Sequence, residues 1–477
     1  MFRITLNNKD KQQTTVGIVG GGIAGLAAGC ALVDSGFRVT VFERRPFVGG
    51  RASSYEHPGT GETVDNCQHV LLGCCTNLLD FYGRIRVSDK IQWFDRLTFI
   101  QPGGRRSEIS PSGLPAPFHA SLSFLRASSL SWPDKIGISR AMLALMGPLP
   151  DDSSKSFADW LREHRQTPKA IDRFWKAILV SAINEDLDRI SVRYGAQVFR
   201  ESFLKSAEAG RMGVPTVPLS DLYSEAIAYM ERRDGKVHLR TSVEGLISEQ
   251  DSVVLQPTGA AERFDFVVLA VPHNALGKLL PSQNGSAEAS AHLHAQIAKL
   301  ESSPITGIHL WFDREITELP HAVLLDRTIQ WMFQKSKLQP QRQGPEQEGS
   351  YVELVVSSSK SLVTMGRQEI VDLGLRELAE FFPVVRDAQL LKATVVKEVH
   401  ATYSAQPGSD SNRPCSRTPW PRILLAGDWT ATGWPATMEG AVRSGYRAAE
   451  ELMRETGQST RVLVPDLGAS GLMRLFG

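Results

Sequence analysis

GIVGGGIAGLAAG, residues 17–29, decides the fold. The short apolar run Val16–Val19 feeds it, and small and apolar residues continue to about Gly36 before Arg38–Phe42 alternates like a strand. Strand, glycine turn, helix, strand is a βαβ unit and implies a parallel sheet. The turn contains Gly20-x-Gly22-x-x-Gly25, with Gly29 four residues on. Glycine is needed where a phosphate comes close enough to the backbone to collide with a Cβ. The N–H groups and positive end of the following helix then hold the anion. Glu43 lies 18 residues after Gly25, at the end of the second strand, where an acid accepts hydrogen bonds from ribose hydroxyls. A glycine turn that merely packs a helix on a strand is the plainer reading. The strand before it, the helix after it and Glu43 together favour a dinucleotide site.

Outward from this unit, the 477 residues are enough for two or three domains. Hydrophobic residues make up 42% and charged residues 22%, which excludes a disordered or collagen-like chain. With 53 basic and 52 acidic residues, no overall field attracts nucleic acid or an anionic membrane. Five cysteines (Cys30, Cys67, Cys74, Cys75 and Cys415) lack C-x-x-C spacing, so neither a disulfide framework nor a structural metal site is expected. Reduced thiols point to the cytoplasm. The first fifteen residues are polar, and the longest apolar runs (177–183 and 266–271) fall well short of the roughly 20 residues that span a bilayer. The expectation is a protein that is soluble, or at most peripheral at the inner face of a membrane.

From about 118 to 200, apolar residues recur at helical spacing, broken by Pro133, Pro148, Pro150 and Pro168. Val237–Leu239, Val253–Gln256, Phe264–Ala270, Thr306–Phe312 and Tyr351–Val356 read as strands. Residues 335–350, KSKLQPQRQGPEQEGS, read as a solvated polar loop, and Asp372–Phe382 as an amphipathic helix. Arg422–Ala426 is strand-like, a helix is expected from Ala436 to about Glu455, and residues 456–477 form a weakly patterned tail.

Gly49-Gly50-Arg51 and LLAGDWTATGWPATMEGA (424–441) resemble the flavoprotein fold of amine oxidases and phytoene desaturases. That likeness, not the glycine fingerprint, points to FAD. It implies that Gly49, Gly50 and Arg51 approach the pyrophosphate from the other side and that Gly427-Asp428 meets the ribityl chain. The backbone of Ala436, Thr437 and Met438 would face the flavin pyrimidine edge, with the helix N-terminus stabilising negative charge there. Val243 sits where this fold clasps adenine, or is an ordinary strand valine. The implied architecture is α/β and amine oxidase-like. A Rossmann-like FAD domain would be built from 14–80, 205–275 and 400–455, with a discontinuous mixed helix/strand substrate domain from 81–204 and 276–399.

VDNCQHVLLGCCTNLLDFY (64–82), AVPHNAL (270–276) and AGDWTATGWPATMEGAVRSGYRAA (426–449) resemble more narrowly the hydroxysqualene dehydroxylases, also called squalene-associated FAD-dependent desaturases. The likeness runs over roughly 15–455, with the polar stretch 335–350 and the tail after 456 as departures. It implies reductive removal of the allylic hydroxyl of hydroxysqualene to give squalene, on the bacterial route to hopanoids, with an unidentified electron donor. His69 is the candidate proton donor, because its ordinary pKa lies near neutrality, or else a structural loop histidine. Gln68 orients the hydroxyl or is a loop amide, and Asp65 caps a turn. Trp429 and Trp434 pack the cofactor or present an aromatic face to an allylic cation, Glu439 is expected in the first turn of the last helix, and Asn184 and Glu185 cap a helix or enter the pocket. Cys67, Cys74 and Cys75 are expected to be small buried thiols. Residues 118–147 read first as a core helix pair, and second as a surface lying on a membrane. The competing functions are a carotenoid-type desaturase, an amine oxidase, and a flavin-free prenyl-binding protein like the Rab escort proteins.

Overall fold

In the computed structural model, which describes residues 13–151, 155–281, 287–340 and 349–476, the glycine turn joins the strand Thr15–Val19 to the helix Ile23–Asp34. Five parallel strands form one sheet in the order Lys236–His238, Arg38–Phe42, Thr15–Val19, Phe266–Leu269, Ile423–Leu425. The first helix is apolar on every side, and Ile23 through Val33 are all buried. Such a helix must be covered on both sides. The sheet covers one side, and the last long helix, Met438–Glu455, packs along it. Chain order in the sheet carries the fold's logic. The first two strands are neighbours in sequence, whereas the last is contributed after a long excursion from Leu269 to Ile423.

That excursion supplies five strands of a second, seven-stranded sheet, in the order Leu390–Tyr403, Ser302–Phe312, Ser350–Ser357, Trp331–Gln334, His321–Leu324, Leu97–Ile100, Arg106–Ile109, whose last two strands come from earlier in the chain. The helix Arg367–Phe381 covers it through a core that includes Ile308, Leu354, Ile370 and Leu378. Helices Trp132–Ala144, Phe157–Glu163 and Val192–Phe199 fill the expected helical region around Phe157, Trp175 and Phe199.

Two local expectations are corrected, and the weakly patterned tail proves anchored. Phe264–Ala270 is two strands, Glu262–Phe264 and Phe266–Leu269, because the Asp265 carboxylate accepts hydrogen bonds from Thr15 N–H (2.7 Å) and Oγ1 (2.8 Å) where the chain changes sheets. The polar stretch is not solvated at its start. Lys335–Leu338 is a short helix with Lys335, Leu338 and Gln339 buried, and 341–348 lie outside the described residues. The tail after 456 is tied down: Val462 and Leu463 N–H donate to the Glu450 carboxylate (2.7 and 2.8 Å), and Val464 N–H donates to Asn77 Oδ1 (2.8 Å).

Candidate active site

Two glycine turns meet at the end of the first strand. Gly20 N–H donates to the Phe42 carbonyl (2.9 Å) and Gly49 N–H to the Gly21 carbonyl (2.8 Å), so the second turn lies directly on the first. A Cβ on Gly25 would stand 2.0 Å from the Gly20 carbonyl oxygen, so the protein's own packing demands glycine there. At Gly22 the situation is opposite. A Cβ there would meet only the Gly50 Cα, at 3.9 Å, with an ordinary φ of −74°. Space is left in front of a helix N-terminus that has no side-chain cap and no acid in its first turn. An uncapped helix start with open space before it is the arrangement an anion fills. Glu43 accepts Gly21 N–H (2.7 Å) and Arg45 N–H (2.8 Å), which fixes its carboxylate beside this opening. Thr241 N–H donates to the Glu43 carbonyl (2.9 Å), bringing the start of the strand Val243–Ser248 to the same corner, with Val243 buried.

On the far side of the cradle, Arg51 Nη2 lies 2.5 Å from Asp428 Oδ1, and its Nη1 donates to the Ala401 carbonyl (2.8 Å). The two resemblance motifs are therefore in direct contact. Gly427 N–H donates to Ser444 Oγ on the last helix (2.8 Å). Thr437 caps that helix by accepting Gly440 N–H (3.0 Å), with buried Ala436 before it, and Met438 Sδ receives the Tyr223 hydroxyl (3.3 Å). Sequence reasoning missed Arg413. It is buried and donates to the carbonyls of Asp428 (3.0 Å) and Thr430 and to Thr432 Oγ1 (3.1 Å), holding the Gly427–Thr432 turn in shape. Trp429 donates to the Val271 carbonyl (3.0 Å), and Trp434 lies under the Arg443 guanidinium at 4.6 Å; both are buried packing residues.

The segment 64–82 reaches the same cradle, where Asn66 Nδ2 donates to the Arg51 carbonyl (3.0 Å). Asp65 does more than cap a turn. It accepts the Ser54 hydroxyl (2.5 Å), Leu219 N–H (3.3 Å) and Lys335 Nζ (2.6 Å). Lys335 is fully buried, donates also to Gln68 Oε1 (2.7 Å), and lies 3.5 Å from Glu353. Gln68 Nε2 donates to the His69 carbonyl (2.9 Å), so both ends of this amide bind protein. His69 Nδ1 lies 2.7 Å from the Cys67 carbonyl. A carbonyl only accepts, so Nδ1 carries the hydrogen and Nε2 offers a lone pair. Burial holds the His69 pKa below its ordinary 6.5, with Asp65 pulling it up and Arg51 and Lys335 pushing it down. The ring is therefore neutral at pH 7. A second histidine, His273 of the AVPHNAL run, is buried close enough to Asp428, Arg51 and His400 for their charges to act on it, and burial lowers its pKa too.

Glu439 is not merely an acid in a first turn. It is buried and accepts Asn77 N–H (3.2 Å) and Leu78 N–H (2.7 Å), joining segment 64–82 to segment 426–449. Asn184 and Glu185 are structural: Asn184 ends its helix in a left-handed conformation and binds the Ser303 carbonyl (3.1 Å), and Glu185 pairs with Lys360. Among the described residues, no group of three or more His, Cys, Asp or Glu side chains could hold a metal ion.

The family model for flavin-containing amine oxidoreductases matches residues 23–453. The chain belongs to this family. Its cofactor is accordingly FAD, and the double glycine turn, open helix N-terminus and Glu43 fit that group. Similar sequences include a probable zeta-carotene desaturase of Synechococcus elongatus, 28% identical over 487 residues that cover 92% of this chain and 98% of that protein. The 15-cis-phytoene desaturase of Capsicum annuum is 25% identical over 468 residues, 94% of this chain and 79% of that protein. Among solved structures, an oxidoreductase from Methanosarcina mazei aligns with a TM-score of 0.71 at 17% identity, covering 92% of this chain and all of that one. A putrescine oxidase aligns with a TM-score of 0.68 at 16% identity, covering 93% and 99%. These likenesses establish the amine oxidase-like fold. The match to a flavin-containing family, rather than the fold, sets aside a flavin-free prenyl-binding protein.

Proposed function

We propose that this flavoenzyme acts on a long isoprenoid and reductively removes the allylic hydroxyl of hydroxysqualene, giving squalene. The observation that carries the reading is the junction made by Glu439. The two segments that resemble hydroxysqualene dehydroxylases, 64–82 and 426–449, meet there through its bonds to Asn77 and Leu78. The substrate class is supported by relatives whose names are those of phytoene and zeta-carotene desaturases.

The net change is alcohol plus two electrons and two protons to hydrocarbon plus water. Reduced FAD supplies hydride chemistry at such a site. The chain's part is proton handling and orientation. Neutral His69 accepts the substrate hydroxyl at Nε2, and in its protonated form donates so that the C–O bond breaks with water as leaving group. Because burial lowers the pKa of His69, the donating form grows as pH falls, so the reductive rate should rise toward acid. Gln68, held by Lys335, fixes the loop that carries the ring.

A second reading, carotenoid-type desaturation, is favoured by that same neutral ring, whose free Nε2 is a ready proton acceptor, and by the relatives' names. The putrescine oxidase, at 16% identity, shows the fold alone. Anaerobic incubation of reduced enzyme with hydroxysqualene, beside oxidised enzyme with squalene or phytoene, separates the readings. Squalene from the first mixture supports the dehydroxylase. Desaturated product from the second, with the alcohol untouched in the first, replaces it with the desaturase.

A further inference from the structure

Ten of the fourteen exposed large apolar side chains among the described residues fall in two short stretches, 114–143 and 472–476. Each stretch is helical, with its apolar side turned outward. Phe118, Leu122 and Leu125 follow the spacing i, i+4, i+7 through the turn Phe118–Ala120 and the helix Ser121–Arg126. On the helix Trp132–Ala144, Trp132 (64% exposed), Ile136 and Leu143 (55%) share one face with Arg140, while Ile138, Ala141 and Leu145 fill the core behind. The final turn, Gly471–Leu475, shows Leu472, Leu475 (79%) and Phe476 and buries Met473.

The three pieces form one assembly. Leu472 N–H donates to the Ala116 carbonyl (2.9 Å), Lys135 Nζ donates to the Leu125 carbonyl (2.7 Å), and Arg200 bridges the carbonyls of Gly147 and Phe476. A soluble surface seldom gathers this much contiguous apolar area without a partner. Charge selects the partner. Residues 111–147 and 467–476 contain one carboxylate, Asp134, and it is 3% exposed; Arg126, Arg140 and Arg474 are all exposed. A two-fold interface between copies would bring these arginines toward one another, whereas anionic headgroups would neutralise them.

We propose that the helices of 114–143 and the C-terminal turn 471–476 together form a docking surface for an anionic lipid bilayer. Apolar side chains enter the acyl boundary there and arginines sit at headgroup level. The long tail after the last helix thereby completes the lipid-facing surface. Docking goes beyond the proposed reaction and is measured without turnover, so either can fail alone.

The test is co-sedimentation of the holoenzyme with phosphatidylcholine vesicles, with and without phosphatidylglycerol. Wild type should bind the anionic vesicles more tightly. Trp132→Asp/Leu475→Asp should lower binding by about tenfold or more while flavin content stays unchanged. Arg126→Gln/Arg140→Gln/Arg474→Gln should remove the preference for anionic lipid. Absence of wild-type binding, or a double variant that binds as wild type does, overturns the proposal. So does a wild-type dimer, seen by light scattering, that the aspartate substitutions split, because a second copy would then cover the patch.

Discussion

The two halves of the site are built by opposite means. The nucleotide side is backbone and glycine, with turns stacked so closely that Gly25 tolerates no Cβ while Gly22 leaves open space. The other side is a buried side-chain network, in which Asp65, Lys335, Gln68 and Glu353 lock the loop that ends in His69. Backbone cradles recognise what every member of a cofactor class shares, here a pyrophosphate. Side-chain networks are where one substrate is told from another. The family match over residues 23–453 takes in both halves, whereas the choice between dehydroxylation and desaturation rests on the second.

The contrast between neighbouring glycines gives the largest expected effect. Gly25→Val should abolish folding, seen as loss of soluble protein, because its side chain meets the Gly20 carbonyl. Gly22→Val should fold, with wild-type circular dichroism, yet purify without flavin absorbance. If Gly22→Val also fails to fold, the open space before the first helix is not a ligand site.

Lys335→Met leaves Asp65 and Glu353 buried without their cation, and should cost about 3–5 kcal/mol of stability in denaturant titration. A loss below about 1 kcal/mol, the surface-pair range, would mean the network does not hold the loop.

His69→Ala should keep flavin and fold but slow the single-turnover step by about 10²–10⁴-fold. In wild type that step should quicken as pH falls through the depressed His69 pKa, since only the protonated ring donates. A rate that instead rises with pH, and loses that dependence in His69→Ala, would make the ring a base and favour desaturation.

The smallest effect belongs to Asp428→Asn, which keeps shape but removes the charge facing Arg51. Flavin retention should weaken by about tenfold, the scale of one charge-assisted hydrogen bond. Unchanged retention would make Asp428 purely structural.

The backbone half was legible in the sequence because its signals are local. A strand run, three glycines at fixed spacing and an acid after the next strand lie within residues 16–43, and the second turn at 49–51 follows at once. The side-chain half was not. Lys335 opens a polar stretch that looks solvated, and its partner Asp65 is 270 positions away, so only the fold reveals a buried pair. Arg413, among polar neighbours, hid its role for the same reason. Between 114 and 143, helical periodicity announced apolar faces but not that several point outward, since a stripe reads alike whether it faces a core or a membrane.

The central claim, reductive removal of a hydroxyl, is tested most directly by counting. Stoichiometrically reduced enzyme is mixed anaerobically with hydroxysqualene, and squalene formed is measured against flavin reoxidised. One squalene per flavin oxidised is the predicted result. Flavin that stays reduced with the alcohol unconsumed, in an enzyme that desaturates squalene or phytoene when oxidised, would contradict it.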